Sequence, residues 1–331
     1  MRAVLCKEWG EPETLVVEEV QSPPMRDGCV RVAVAAAGIN FADILMVAGK
    51  YQEKPAFPFT PGLEIAGTVT EVAPDVRGVA VGDRVMGTPG SGGYATEAVV
   101  PASSVVRIPD SMPFDIAAGF PVAYGTSHGA LDWRARLQPG ETLLVHGAAG
   151  GVGLTAVEIG KAMGATVIAT AGGPAKLEIA RRHGADHLVD YGSEDVKTRV
   201  RDLTHGKGAD VVYDPVGGDV FDASLRCVAW EGRIVVIGFA SGRVPQIPAN
   251  LVLVKNCDVI GFFWGSYRAK NPEKVRRSFA QLFRWFEDGK LRPHVSERFD
   301  LADAAQAMNA LKQRRSTGKV VLVTGGEAVG S

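Results

Sequence analysis

The sequence predicts an α/β protein of two domains, one β-rich and one a parallel sheet covered by helices on both faces. Three observations predict it. At 331 residues the chain is long enough for about two domains. Its first ~110 residues alternate Val- and Ala-rich runs with Gly/Pro-rich breaks, the texture of strands and irregular connections. From about Pro113 onward, short apolar runs alternate with helical stretches, the pattern of βαβ units.

Taken in order, "CVRVAVAAAGI", "IAGTVTEVA" and "YATEAVVPA" read as strands, broken by "SPPMRDG", "KPAFPFTPG" and "GTPGSGG". Then "LLVHGA", "TVIATA", "HLVDY", "DVVYDPV" and "RIVVIGF" are short enough and apolar enough to be strands buried on both sides. Between them, "GVGLTAVEIGKAMG", "KLEIARRHG", "EDVKTRVRDLTHG" and "VFDASLRCVA" read as helices. In "PEKVRRSFAQLFRWFEDG", Val275, Phe279, Leu282, Phe283 and Phe286 share one face of a helix. The chain closes with a helix, "LADAAQAMNALKQRR", and a strand, "GKVVLV", which can return to the first domain.

Composition excludes several classes. The hydrophobic fraction is 46% and the charged fraction 22%, which suits a soluble globular core. A net charge of −1 gives no bulk attraction to nucleic acid or to an anionic membrane. No apolar run approaches the ~20 residues of a spanning helix. The N-terminus turns charged at Lys7-Glu8, so no signal peptide is expected. Cys6, Cys29, Cys227 and Cys257 lie at no metal or redox spacing, so four buried reduced thiols and a cytoplasmic location are expected. His183 and His187 straddle a helix-to-strand switch and are not expected to bind metal.

The strongest motif is "LLVHGAAGGVGLTAVEIG", an apolar strand, a Gly-rich turn and a helix. Small residues there let the backbone approach a pyrophosphate, whose charge rests on the free N–H groups at the helix start. The dinucleotide fingerprint appears as Ala148-x-Gly150-x-x-Gly153. About 20 residues on, an acid would bond the ribose 2′-OH of NAD. Thr170, Ala171, Gly172, Gly173 and Pro174 stand there instead, followed by Lys176. With no carboxylate to repel a 2′-phosphate and a cation to attract one, the expected cofactor is NADPH. Tyr191, after the next strand, can add a hydroxyl to the same phosphate. The alternative is that Lys176 is an exposed helix-start lysine and Tyr191 a packing residue.

With "HGAAGGVGLTAVEIGKAMGA", "GADHLVDY" and "DPVGG" in place, the chain resembles the medium-chain dehydrogenase/reductase superfamily. Within it, the chain is similar to the zinc-independent quinone oxidoreductase family that includes zeta-crystallin. The resemblance runs over essentially the whole sequence, through "GINFADILMVAGKY", "PFTPGLEIAGTVTEVAPDV", "VGDRVMG", "GGYATEAVVPA", "NLVLVKNCDVIGFFWG" and "STGKVVLV". It implies a GroES-like catalytic domain over 1–122 and 292–331, a Rossmann domain over 123–291, and a cleft between them. Zinc members of the superfamily hold catalytic metal with Cys, His and Cys. The matching positions here are Asn40, Leu63 and Val122, which cannot build such a site, so no metal is expected. Glu64 survives without those ligands, and structural hydrogen bonding is the role expected of it.

Without a Lewis acid, alcohol–ketone exchange gives way to an acceptor that takes hydride unaided. The expected reaction is reduction of a quinone by NADPH. Reduction of an enone or enoyl double bond is the alternative, and a structural or RNA-binding role is a third reading that the near-neutral charge disfavours. The resemblance assigns Ala149, Gly150, Gly151 and Val152 to the pyrophosphate and Lys176 and Tyr191 to the 2′-phosphate. It places Thr126 beside the nicotinamide and Lys319 near the cofactor. Phe239, Phe262, Phe263 and Trp264 match segments walling the nicotinamide half, although packing or a dimer edge explains the Phe-Phe-Trp run equally. Asn40 and Tyr51 are the catalytic candidates. Asn40 can bond the nicotinamide ribose or a substrate carbonyl, and Tyr51 can donate to a reduced oxygen or cover the pocket. Gly173 stands where relatives often carry Ser, and Tyr124 where small residues are common, which would narrow the cleft. The resemblance also implies a homodimer through edge strands of the Rossmann sheet, with "RIVVIGF" and "CDVIGFFWG" as candidates.

Overall fold

A computed structural model describes residues 1–325. The chain divides into two units, Met1–Val122 with the stretch from Pro293, and Ala123–Arg292.

The first unit is built on Cys29–Ile39, an eleven-residue strand with three neighbours. Its first half, Cys29–Ala33, pairs antiparallel with Glu97–Pro101. Its second half, Ala36–Ile39, pairs with the closing strand Lys319–Val323. Glu64–Val72 runs along its other side. The full order is Val295–Asp300, Lys319–Val323, Cys29–Ile39, Glu64–Val72, Arg84–Gly87, Val105–Arg107. Alanines and Gly38 in the second half of Cys29–Ile39 allow close cover on both faces: a Cβ at Gly38 would lie 2.3 Å from Glu64 Oε1. The strand ends at Asn40, where the helix Phe41–Val47 begins. Asp43, three residues in, accepts the Asn40 backbone N–H at 2.8 Å and fixes that start.

The second unit is a six-stranded sheet in the order His187–Asp190, Thr166–Ala171, Thr142–Val145, Ala209–Asp214, Val228–Val236, Asp258–Gly261, every pair parallel. Leu144, Ile168, Val189, Val212 and Ile234, one from each of five strands, meet Val196, Val200, Phe221 and Leu225 of the flanking helices in one core. Each such side chain contributes roughly 1.5–3 kcal/mol by leaving water. The helix Pro272–Glu287 buries Val275, Phe279 and Leu282, as its periodicity predicts.

Three features differ from the sequence reading. "RIVVIGF" is not an edge: its strand starts earlier, at Val228, and lies between two parallel neighbours. The polar Glu231-Gly232 hides this continuity, because Glu231 takes a left-handed turn (φ 57°) at a bulge. "CDVIGFFWG" supplies only a four-residue edge strand, Asp258–Gly261, before Trp264 opens a new helix. An unexpected helix, Ala249–Lys255, turns Leu253 and Val254 outward, 75% and 66% exposed. All four cysteines are free and buried. Burial pushes the Cys227 thiol up to about 11, which keeps it protonated and unreactive.

Among the described residues no helix is long and apolar enough to cross a membrane.

Candidate active site

The Gly-rich turn follows Thr142–Val145, the strand between Thr166–Ala171 and Ala209–Asp214 where the strand order reverses. Ligands of such sheets bind at the carboxyl ends of the strands at this point. His146 fastens the turn from below. Its Nδ1 lies 2.9 Å from Thr170 Oγ1 and its Nε2 2.7 Å from Ser224 Oγ. Ser224 spends its own hydrogen on Val220 O, so His146 Nε2 carries the proton and Nδ1 accepts from Thr170. Burial pushes the His146 pKa down, and the ring is neutral.

Above it, the twelve-residue helix Gly151–Ala162 opens with no side-chain cap and no acid in its first turn. Gly153 lets this helix approach the turn: a Cβ there would sit 2.1 Å from Gly147 O. Ala149, Gly150, Gly151 and Val152 surround the uncapped start, with Gly150 exposed. Backbone N–H groups and the positive end of the helix dipole make this a fit for a pyrophosphate.

The next strand ends at Ala171 and turns through Gly172-Gly173 into the helix Pro174–Arg182, whose first turn holds Lys176 and no acid. Tyr191 folds back over this turn, its hydroxyl 3.1 Å from where a Gly172 Cβ would be. A cation and a phenol therefore flank one glycine turn, which fits a 2′-phosphate. Gly173 has φ 84°, a conformation costly for any residue with a side chain.

The four aromatic wall candidates separate. Gly125 and Gly129 lie four residues apart on one helical face and receive the rings of Trp264 and Phe262. A Cβ at either glycine would meet those rings at 2.7 Å. Phe262 then packs on Trp133 and Tyr267, and Trp264 on Phe279. Both rings are buried among the unit's own aromatic side chains. Phe239 and Phe263 remain exposed. Thr126 sits between Gly125 and Ser127 and is buried. Ser127, which the sequence reading missed, anchors this helix: its Oγ meets Val152 O at 2.9 Å, Thr155 Oγ1 at 2.8 Å and Tyr213 OH at 2.9 Å. Tyr124 also differs from expectation. It is buried, with its hydroxyl 2.5 Å from Glu158 Oε2.

In the first unit, Asn40 and Lys319 meet. Lys319 Nζ donates to Ile39 O at 2.8 Å, Asn40 Oδ1 at 2.7 Å and Glu64 Oε1 at 2.7 Å. Asn40 Nδ2 donates to Glu64 Oε1 at 2.9 Å, and Glu64 Oε2 accepts the Val122 N–H at 2.8 Å. All three ammonium hydrogens of Lys319 are spent, so it holds Asn40 and Glu64 in place and has none left for a phosphate. Glu64 thereby bonds two of the three positions, Asn40 and Val122, that correspond to zinc ligands elsewhere. Tyr51 is half-buried against the hydrophobic core of the first unit. Among the described residues no three His, Cys, Asp or Glu side chains gather as a metal site.

Asp43 lies beneath this cluster, accepting from Asn40 N and, at 2.9 Å, from Tyr94 OH. Its Oδ1 is buried without a partner. Burial pushes the Asp43 carboxyl up to about 7 from 3.8, with Glu64 adding to the rise. The folded state therefore holds this proton more tightly than the unfolded chain. The resulting stabilisation is complete below about pH 4 and lost as pH rises to about 7, on the order of 4 kcal/mol over that window. Urea titrations of wild type and Asp43→Asn from pH 4 to 8 check this. The stability difference between them should favour wild type most at the acid end and shrink toward pH 7. A difference independent of pH would refute it.

Two family descriptions match: "Alcohol dehydrogenase GroES-like domain" over residues 26–110 and "Zinc-binding dehydrogenase" over residues 151–287. A quinone oxidoreductase-like protein 2 homolog of Nematostella vectensis is 46% identical over 98% of this chain and 89% of its own length. The crystal structure of a Pseudomonas syringae pv. Tomato DC3000 quinone oxidoreductase superposes with TM-score 0.92 at 35% identity, over 98% of this chain and 99% of that one. An Escherichia coli quinone oxidoreductase complexed with NADPH superposes with TM-score 0.91 at 30% identity, over 98% of this chain and all of that one.

Proposed function

The chain belongs to the quinone oxidoreductase family of the medium-chain dehydrogenase/reductase superfamily, and from that premise we propose that it is an NADPH-dependent reductase of quinones that works without zinc. The observation that carries the cofactor assignment is the turn Gly172-Gly173, where Lys176 and Tyr191 stand in place of an acid on the preceding strand. Asn40, Leu63 and Val122 support the zinc-free reading, since none supplies a thiolate or imidazole.

When bound, NADPH supplies a hydride to the acceptor, and with a proton from water a quinone leaves as its hydroquinone. The residues of this chain bind and orient. The Ala149–Val152 turn holds the pyrophosphate, and the helix carrying Thr126 is fixed by Ser127 to that same turn. Phe239 and Phe263 are the aromatic surfaces available to the nicotinamide half. Asn40 is the substrate-side polar group, its amide held rigidly between Lys319 and Glu64, and Tyr51 is a donor toward the acceptor oxygen. Preorganised groups of this kind contribute by fixing geometry and by meeting charge as it develops.

The first test is cofactor oxidation by purified protein with 1,4-benzoquinone and with a simple enone, each run with NADPH and with NADH. Quinone turnover faster with NADPH supports the reading. Turnover of the enone alone reassigns the enzyme to activated double bonds. No turnover with either acceptor overturns the reading.

We propose further that the protein is a cytoplasmic homodimer. The edge strand Asp258–Gly261 offers unpaired backbone groups, and Leu253 and Val254 on the adjacent helix give it an apolar flank. The double substitution Leu253→Glu with Val254→Glu should halve the mass seen by light scattering without lowering the melting temperature of the fold. A wild-type monomer, or a dimer unmoved by the change, would sink this reading.

A further inference from the structure

The strand that should carry the ribose-binding acid, Thr166–Ala171, lacks one, but the next strand supplies a carboxylate to the same turn. His187–Asp190 pairs parallel with it, and Asp190 lies opposite Ala171. Asp190 Oδ1 accepts the Gly173 N–H at 3.1 Å and the Gly192 N–H at 2.9 Å. These backbone bonds hold its carboxyl below the usual range, so it is charged at neutral pH. Tyr191, its chain neighbour, lies over Gly172, and Lys176 stands one helical turn away. One glycine turn is thus flanked by a cation, a phenol and an anion.

Lys176 and Tyr191 favour a 2′-phosphate, whereas Asp190 repels it and occupies the Gly173 N–H that an anion would otherwise find. A ribose that carries only a 2′-hydroxyl meets no such repulsion. We propose that Asp190 is a specificity-determining residue that limits the preference for NADPH over NADH, so that this chain discriminates between the two cofactors only weakly. The inference rests on the NADPH reading of this turn.

The test is Asp190→Asn, which keeps an acceptor oxygen for both N–H groups and removes the charge. Dissociation constants for NADPH, NADH and 2′,5′-ADP are measured by fluorescence titration at low and high salt, with Lys176→Ala alongside. Wild type should prefer NADPH by less than about 10-fold. Asp190→Asn should tighten NADPH and 2′,5′-ADP about 5- to 10-fold at low salt, less at high salt, and move NADH under about 2-fold. Lys176→Ala should weaken NADPH and leave NADH alone. If Lys176→Ala behaves so but Asp190→Asn leaves NADPH unmoved, or weakens both cofactors equally, Asp190 only holds the turn and the inference fails. If Lys176→Ala does not separate the cofactors, the phosphate reading of the turn fails and the inference with it. Should Asp190→Asn fold poorly, the wild-type preference decides: a ratio above about 10-fold overturns the proposal.

Discussion

Lys319→Met is expected to cost about 3–5 kcal/mol of stability, because it strands a buried charge. Lys319 and Glu64 are both buried, and their 2.7 Å contact lies among further hydrogen bonds to Ile39 O, Asn40 Oδ1, Asn40 Nδ2 and Val122 N. Methionine fills similar space but leaves the buried Glu64 carboxyl with only the Asn40 amide and one backbone N–H. Denaturant midpoints at constant m-value measure the loss. Adding Glu64→Gln should recover part of it, since the second change removes the unpaired charge, and the double-mutant cycle isolates the pair. The same variant should lower kcat more than it raises KM for NADPH, since Asn40 loses its orientation while the Gly-rich turn is untouched. A cost below about 1 kcal/mol would show that water reaches the cluster and that Lys319 is not the post on which Asn40 is mounted.

Glu158→Ala is expected to be nearly as damaging, at about 3 kcal/mol, for a different reason. Glu158 is buried, and its two oxygens accept from Tyr124 OH at 2.5 Å, His183 Nδ1 at 2.6 Å and Arg292 N at 3.0 Å. Tyr124 is the second residue of the Ala123–Arg292 unit and Arg292 its last. A single carboxylate therefore fastens both ends of that unit's chain. Alanine takes the Glu158 acceptor away from a buried phenol and a backbone N–H, each such loss worth about 1–3 kcal/mol. Tyr124→Phe removes donor and demand together and should cost only about 1 kcal/mol. Hydrogen exchange at the Arg292 amide gives the local readout. It should accelerate at least tenfold in Glu158→Ala and stay slow in Tyr124→Phe. Unchanged exchange in both would mean that the chain end is held by other contacts, such as Arg292 to Arg182 O.

Much of the fold was legible because its signals are local. Each strand of the second unit except Val228–Val236 is a short run of four to six residues. The Gly-rich turn needs only its own residues and the helix after it. The exceptions have local causes too. The strand Val228–Val236 begins inside the run "VFDASLRCVA" that reads as helix, and the short helix Ala249–Lys255 is hard to read because only Leu251 and Val252 pack on the core while Leu253 and Val254 face outward.

The candidate site was legible unevenly. Ala149–Val152, Lys176 and Tyr191 can be proposed from the sequence because the chemistry of phosphate recognition sits within single turns. The partners that give these residues their environment could not be, since they come from distant strands and helices. Asp190 reaches Gly173 only because the sheet sets Asp190 beside Ala171. Ser127 finds Val152 across two helices, and Lys319 finds Asn40 across 279 positions of sequence. For Phe262 and Trp264 the letters leave ligand wall and packing both open, and only the tertiary structure shows their rings set against two glycines spaced four apart.

By itself, then, the sequence determined the α/β class, the apolar character of five of the parallel strands and the Gly-rich turn between strand and helix. Each of these follows from residue type and spacing along the chain. The tertiary structure alone decided which strand lies at the edge, which aromatics are buried, how Asn40 is held and where a second carboxylate stands. Those depend on pairing order and on side chains meeting across sequence gaps of tens to hundreds of residues, a geometry that no local pattern encodes.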